Sequence, residues 1–443
     1  LSRSRNKFPD LPVKTVVTSL THDGRGVAHV DGKAVFIDAA LPGEEIEFQY
    51  TLIKRDFAEG KVVNILTRNE HRVQPACPHF DICGGCSFQH VDSDEQIRIK
   101  QNLLNEQFKR IGKITIPDFW EPLTGPHWGY RRKARLGVKY VAKKQRVLVG
   151  FREKRQTFLA EMDNCPVLHP NVGEKLTALG EMIAGLTIRE KIPQIEVAVG
   201  DEHCVLAMRV METPTQADRE RIENFGKNQN IRFYIQPKGP DTIVPLGDEN
   251  KQLPTYSLPE HGITFEFRPA MFTQVNYEIN RLMVNRVLAV LDLTESDRVL
   301  DLFCGLGNFT LPMAKYAGHV TGVEGDLPLV EHARRNAMNN SISNVEFHAA
   351  DLSKDISGQV WVKQRYSKLL LDPSRAGASE VLPYIKQWQP KRIVYVSCNP
   401  STLARDAGLL VNELGYKLMK AGVMDMFPQT AHVESMAWFE KKS

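Results

Sequence analysis

From about residue 264 the chain alternates between short apolar runs and longer stretches with apolar residues at helical spacing. The runs are R-V-L-D-L-F (298–303), H-V-T-G-V-E (319–324), V-E-F-H-A-A (345–350), K-L-L-L-D-P (368–373) and R-I-V-Y-V-S (392–397). Each has the length and composition of a strand buried on both faces. The stretches between them, 310–317, 327–339, 378–388 and 401–414, read as helices. This alternation predicts a Rossmann-like, doubly wound, mostly parallel sheet, with ligands at the carboxyl ends of its strands.

Upstream the pattern differs. Residues 11–68 hold five short β-rich runs, separated by D-G-R-G (23–26), D-G (31–32) and L-P-G-E (41–44). Short strands with tight turns predict a small OB-like β-barrel, either an oligonucleotide binder or a spacer. A cysteine-rich loop follows at 69–92. Residues 92–112 then read as a helix with an Asp or Ser N-cap and a closing Gly. From Trp128 to Ile263 the signals are mixed α+β, and Pro/Gly/Asp-rich 237–262 reads as a connection. The expected architecture is multidomain α/β: a barrel at 8–68, a central α+β domain with a metal cluster at 69–263, and the α/β sheet at 264–443. The 92–112 helix is placed against the last of these.

Composition changes little: 42% hydrophobic and 25% charged residues fit a soluble globular protein. No apolar run approaches the roughly 20 residues a membrane helix needs. The start, L-S-R-S-R-N-K-F-P-D, has no apolar signal region, so a cytoplasmic protein is expected; Leu1 in place of Met suggests a trimmed or partial start. Charge changes more. Residues 131–155 hold eleven Lys or Arg against Glu153, a window of +10 in a chain of net +4, which leaves 4 − 10 = −6 elsewhere. Concentrated positive charge suits a polyanion, although a solvated strand pair would look the same.

D-L-F-C-G-L-G-N-F (301–309) follows the first strand of the α/β region, and Glu324 ends the second. Gly305 and Gly307 permit a tight turn close to a ligand, and the acid can accept ribose hydroxyls. The third Gly of a pyrophosphate loop is missing, which favours a nucleotide without pyrophosphate such as S-adenosylmethionine. Asp351, past the third strand, is a candidate for the adenine amine or a plain N-cap acid.

R-I-V-Y-V-S-C-N-P puts Cys398 at a forced turn after a buried strand, with Pro400 blocking continuation and S-T at 401–402 able to cap the next helix. Asp372 ends the neighbouring run, and D-M-F-P-Q-T-A-H-V-E-S-M (425–436) brings His432 and Glu434 into a last strand. A thiol beside carboxylates is what nucleophilic addition followed by proton removal requires. Cys304 is the rival nucleophile, although its place in the Gly loop favours packing. Cys204, in H-C-V-L-A-M, reads as core.

The seven cysteines are odd in number, which argues against a disulfide framework. C-P-H-F-D-I-C-G-G-C holds Cys77, Cys83 and Cys86, and Cys165 follows after 78 intervening residues. Three near ligands and one remote favour a [4Fe–4S] cluster over zinc or unligated core thiols. Four available thiols would close the cluster and make it structural.

In combination, F-T-Q-V-N (272–276), D-L-F-C-G-L-G-N-F, L-D-P-S-R (371–375), V-S-C-N-P (396–400) and H-V-E-S-M (432–436) resemble the bacterial RNA 5-methyluridine methyltransferases, specifically the 23S rRNA branch. G-R-G-V-A with L-P-G-E makes the barrel resemble a TRAM domain. The resemblance implies methyl transfer from S-adenosylmethionine to carbon 5 of a uridine in 23S rRNA. By position, Cys398 resembles the nucleophile that adds to carbon 6, Glu434 the base that removes the carbon 5 proton, and Asp372 a group near the base. Gln274, Phe303, Gly305, Asn308, Glu324, Asp351 and Asp372 fall at cofactor positions, and Cys77, Cys83, Cys86 and Cys165 at cluster ligands. Trp128, Tyr130, Arg131 and Arg132 are candidates for RNA contact, with core packing the alternative for the two rings. The resemblance implies neither a membrane nor a protein partner. Cytosine-5 methylation and a non-catalytic RNA-binding assembly factor are the competing readings.

Overall fold

The structure, a computed structural model, describes residues 11–247 and 252–442. Residues 8–10 of the expected barrel, 248–251 of the expected connection and Ser443 lie outside the described residues. The chain divides into two compact units: Leu1–Lys100 with Phe427–His432, and Gln101–Met426 with Val433–Ser443.

The first unit carries six strands: β1 (Val13–Val16), β2 (Ser19–Leu20), β3 (Gly26–Val30), β4 (Lys33–Asp38), β5 (Glu45–Ile53) and β6 (Phe57–Thr67). Their order is β1-β5-β6-β4-β3-β2, with β4 and β6 parallel. The edge strands β1 and β2 are consecutive in the chain. The run expected as one strand breaks between them, where buried Val17 donates its N–H to the Glu44 carbonyl and Thr18 donates to the Val27 carbonyl. The chain thereby passes from the β5 side to the β3 side and closes the sheet. Alternate residues point inward and form the core of Ala28, Val35, Ile37, Ile46, Phe48 and Ala58.

Glu44 ties this barrel to the loop after it. Its side chain is fully buried, and Arg72 grips it with Nε at 2.5 Å and Nη2 at 2.7 Å. The Leu41 and Asn69 amides donate to the same carboxylate at 2.9 and 3.3 Å. Helix α1 (Ser93–Gln107) starts in this unit, capped by Asp92, whose Oδ1 accepts the Glu95 N–H at 2.9 Å. The late segment Phe427–His432 is held here too. Gln96 and Gln429 bond reciprocally, Nε2 to Oε1 at 3.1 Å and the Gln429 N–H to Gln96 Oε1 at 3.0 Å.

In the second unit a six-stranded sheet runs β12-β11-β10-β9-β7-β8. Its strands are β7 (Lys133–Val141), β8 (Arg146–Gly150), β9 (Gln194–Val199), β10 (Cys204–Arg209), β11 (Ile231–Gln236) and β12 (Val244–Pro245). Short α2 (Pro170–Gly173) precedes α3 (Leu176–Ala184), which packs on β8, and α4 (Gln216–Gln229) packs on β11. The hairpin β13 (Thr255–Leu258) and β14 (Ile263–Glu266) follows. The stretch 237–262 is therefore more than a connection: it supplies β12 and β13. Pro245 is tolerated because β12 is an edge strand.

After α5 (Tyr277–Leu291) comes the seven-stranded sheet, ordered β17-β16-β15-β18-β19-β21-β20. Its strands are β15 (Arg298–Leu302), β16 (His319–Glu324), β17 (Val345–Ala349), β18 (Lys368–Leu371), β19 (Arg392–Ser397), β20 (Tyr416–Met424) and β21 (Glu434–Lys441). The first five pair in parallel, and β21 runs antiparallel to both neighbours. Helices α6 (Thr310–Ala314), α7 (Leu327–Asn339), α8 (Ile385–Trp388) and α9 (Pro400–Asn412) lie between strands. The helix expected over 378–388 is a 3-10 turn, Leu382–Tyr384, followed by the single turn of α8; Pro383 withholds one backbone donor there. After α1 the chain makes a π-helical turn, Phe108–Gly112, packed on α9. A Cβ on Gly112 would lie 2.6 Å from the Ala404 carbonyl oxygen, so glycine sets that close approach.

Replacing Glu44 with Ala leaves the largely buried Arg72 guanidinium with only the Ala39 carbonyl, a loss approaching the roughly 3–5 kcal/mol of a broken buried pair. Urea unfolding followed by an N-terminal probe should show the barrel of Glu44→Ala melting well before that of the parent. Coincident curves would contradict this.

Candidate active site

The parallel register delivers the expected residues to one edge. In sheet order these are Asp351 two positions past β17, Glu324 at the end of β16, Phe303 just past β15, Asp372 just past β18 and Cys398 just past β19. β21 is antiparallel, so its first residue, Glu434, falls at this same edge. Ser397 pairs with Ser435, which makes Cys398 and Glu434 neighbours one step further on.

The loop after β15 is tightly wound. Phe303 (φ 66°), Gly305 (φ 54°) and Gly307 (φ 88°) all take left-handed backbone, which costs a bulky residue such as Phe about 1 kcal/mol or more. The Gly305 N–H donates to Glu324 Oε2 at 3.1 Å, and the Gly325 and Asp326 amides donate to Oε1 at 2.7 and 3.1 Å. Loop and acid are thus locked together. Asn308 is held by a reciprocal amide pair with Asn280 (3.0 and 2.8 Å) and accepts the Tyr256 hydroxyl at 3.0 Å.

The site gathers acids that burial holds towards neutrality. Asp301 is fully buried, and its carboxyl is pushed up to about 8 by desolvation and by Asp372 and Glu324, against the Thr310 hydroxyl that bonds Oδ2 at 2.5 Å. Its Oδ1 has no hydrogen-bond partner. Asp372 is pushed up to about 7 by desolvation and by Glu324. Glu434, 5% exposed, is raised well above the usual carboxylate range by burial and by Asp372, with Arg375 opposing. Cys398 is pushed up to about 11 by desolvation, Glu434 and Asp372, again against Arg375. Such a set of acids, one with an orphaned oxygen, fits a cationic ligand such as a sulfonium with its ammonium group.

Cys398 is half-buried, whereas the other cysteines of this unit, Cys165, Cys204 and Cys304, are 7%, 3% and 4% exposed. Burial pushes Cys204 up to about 12 and raises Cys304. The turn holding Cys398 is braced by Asn399, whose Nδ2 donates to the Arg375 carbonyl at 3.0 Å. Asn399 also caps α9, accepting the Ser401 N–H at 3.1 Å. The cap is therefore Asn399 and not the expected Ser401 or Thr402. Asn399, Arg375, Asp301 and Asn280 are not among the residues expected from the sequence. An acid inside an apolar run (V-L-D-L-F) and an Asn before Pro were the available signals for two of them.

Other expected residues stand apart from this cluster or take structural contacts. Gln274 is half-buried in the loop before α5. Asp351 is exposed and its oxygens are taken by the Ser353 N–H (3.1 Å), the Ser353 hydroxyl (2.6 Å) and Lys354 (3.0 Å), which hold it down to about 2. Trp128 is 36% exposed, but Tyr130 is buried at 6%. Arg131 donates to the Lys133 carbonyl at 3.0 Å. Arg132 donates to the Gly200 carbonyl at 2.7 Å and lies 4.6 Å from the Tyr277 ring centre. Cys77 and Cys83 are buried and Cys86 half-buried, with the Gly85 N–H donating to Cys83 Sγ at 3.4 Å. Among the described residues no group of three or more His, Cys, Asp or Glu is placed to hold a metal ion.

A doubly wound sheet with a Gly-turn, a paired acid and a thiol at its carboxyl edge is the frame of a nucleotide-dependent transferase. The family model described as tRNA (uracil-5-)-methyltransferase matches residues 93–442, and that of the TRAM domain matches 14–63. The chain belongs to the uracil-5-methyltransferase family. It is 56% identical over 437 residues, 99% of both chains, to the 23S rRNA (uracil(1939)-C(5))-methyltransferase RlmD of Methylococcus capsulatus. It is 50% identical over the full length of both chains to the protein of that name from Alkalilimnicola ehrlichii. In fold it is similar to the Pyrococcus abyssi tRNA (uracil-54, C5)-methyltransferase, with a TM-score of 0.73 at 24% identity, covering 96% of this chain and 100% of that one. No helix among the described residues is long and apolar enough to cross a membrane.

A thiol held up to about 11 reacts slowly at neutral pH. Alkylation of Cys398, read from its peptide by mass spectrometry, should rise about tenfold per pH unit towards that value. Glu434→Gln, which removes one source of repulsion, should speed it at fixed pH. A rate that levels off near pH 8 would contradict this electrostatic picture.

Proposed function

We propose that the protein transfers a methyl group from S-adenosylmethionine to carbon 5 of a uridine in 23S rRNA. The adjacency of Cys398 and Glu434 at the carboxyl edge, in a chain of this family, carries the reading. The close relatives named for 23S rRNA support the substrate, and an rRNA substrate supports a cytoplasmic location. We take 8–68, 69–263 and 264–443 as its domains, supported by the three large sheets, with the hairpin β13–β14 spanning the last boundary.

Carbon 5 of uracil is too weak a nucleophile to take a methyl unaided. The Cys398 thiolate adds to carbon 6, and the ring's π electrons move to make carbon 5 an enolate carbon. The bound donor supplies an electrophilic methyl on a positively charged sulfur. Carbon 5 bonds to that methyl as the sulfur–methyl bond breaks. Glu434 then removes the carbon 5 proton, the carbon 6–sulfur bond breaks, the double bond returns and Cys398 leaves as thiolate. Glu434 acts in its ionised form, which Arg375 and the bound cation favour, and raised basicity then suits it to that proton. A cation seated beside Asp372, Glu324 and Asp301 offsets the repulsion that disfavours the thiolate. Phe303, Gly305 and Asn308 shape the cofactor loop, Gln274 serves the cofactor from the loop before α5, and Asp372 also faces the uracil edge. Asp351 serves the adenine end once released from Lys354. Of the residues expected at RNA, Trp128 has the exposed ring, and Tyr130, Arg131 and Arg132 follow it in the chain.

A [4Fe–4S] cluster on Cys77, Cys83, Cys86 and Cys165, with zinc the lesser alternative, rests on thiol number and spacing alone, and no step passes through it. Anaerobically purified protein should contain about four iron and four sulfide per chain, lost in Cys83→Ser. Iron-free parent protein with zinc or no metal would overturn it.

The reaction is tested with 23S rRNA fragments carrying 5-fluorouridine at the target. Fluorine replaces the proton that Glu434 removes, so the parent should form a denaturation-resistant protein–RNA band, and Cys398→Ala should not. Glu434→Gln should accumulate the same band with ordinary uridine. No band from the parent, with RNA and cofactor both bound, would sink the covalent mechanism.

A further inference from the structure

The central sheet holds a cavity of about 570 Å³ that the proposed reaction does not use. Its floor is one face of three adjacent strands. Gln194 on β9 pairs with Arg209 on β10, and Arg209 pairs with Gln236 on β11. The three side chains therefore stand in a row, amide, guanidinium, amide. Lys238 and exposed Met211 line the cavity, and Ala270 closes it, a few residues before Gln274. The Lys133 ammonium, bonded to the Pro269 carbonyl, ties β7 to that segment.

The row is unevenly satisfied. Glu196 accepts from Arg135 Nε at 2.5 Å and from Gln194 Nε2 at 2.8 Å. Gln236 is 7% exposed, and its Nε2 donates to the Lys238 carbonyl at 3.2 Å. Its Oε1 is buried with no donor. A buried acceptor without a donor costs about 1–3 kcal/mol unless something fills it. Arg135, Arg209 and Lys238 against Glu196 leave the lining net positive. An anionic group with an N–H donor to present fits both features, and the volume suits one nucleotide.

We propose that this cavity binds a nucleotide of the RNA substrate beside the target uridine. Its phosphate lies on Arg209 and Lys238, and its base carries an exocyclic amine that donates to Gln236 Oε1. Met211 offers a polarizable surface to the base face. This inference rests on the RNA methyltransferase reading and adds to it a site that selects the neighbouring sequence. Filling it places RNA against the segment that leads into Gln274.

The experiment uses the full chain and a 23S rRNA fragment. Arg209→Ala and Lys238→Ala, both at exposed positions, should each raise KM for RNA roughly tenfold while kcat and the affinity for S-adenosylmethionine stay unchanged. Lys238→Ala should also make the salt dependence of RNA binding shallower by about one unit of slope. Purine riboside replacing adenosine at flanking positions should weaken the parent at one of them. Gln236→Met should be insensitive to that replacement. Unchanged KM in both cation variants would overturn the proposal, as would a matched fall in kcat and cofactor affinity, which marks a structural role. A parent that methylates no RNA would instead overturn the proposed function.

Discussion

The backbone ladder of β15 to β19 governs everything at the candidate site. Each parallel pair fixes where its two strands end, and the acids and the thiol sit at those ends. Side chains such as Leu300, Leu370, Val394 and Val396 are fully buried along these strands. At about 1.5–3 kcal/mol each, they hold the register against the cost of crowding Asp301, Asp372 and Glu434 together. A slip of one residue would send Asp301 or Glu324 to the other face. The same core that stabilises the sheet therefore places its charges.

Those charges explain the local bracing. Like-signed groups repel, so the loops carrying them need fixed partners. Glu324 is pinned by three amides, Asn308 by Asn280 and Tyr256, and the Arg375 loop by Asn399 and Asp406. Asp406, itself buried, accepts from the Ala378 N–H at 2.8 Å and the Tyr395 hydroxyl at 2.6 Å. The electrostatic tension at the edge is thus held by a network of hydrogen bonds around it.

Much of this was legible in the sequence, for physical reasons. Strands β15 to β19 are apolar runs too short for helices, and each ends in a residue with chemistry. The break at Val17 was hidden, because V-K-T-V-V-T-S-L contains no turn former and tertiary pairing alone divides it. β12 was hidden by its Pro, which an edge strand accepts. At the site, Cys398, Glu434, Asp372 and Glu324 were visible as residue types at strand ends. Asp301's orphaned oxygen and the Asn280–Asn308 pair were not, because a partner distant in sequence leaves no local pattern. The partners inside the basic window were hidden for a related reason. Counting charge does not reveal that Arg131, Arg132 and Lys133 already hold carbonyls.

The reciprocal bond between Gln96 and Gln429 spans 333 residues of chain. Loops of that length close slowly, and synthesis runs from the N-terminus. Ser87 and Phe88, whose amides both donate to the Gln429 carbonyl at 3.0 Å, must therefore wait for nearly the whole chain before they are paired. The barrel can form early, but the cysteine-rich loop gains these partners only once Gln429 has been made.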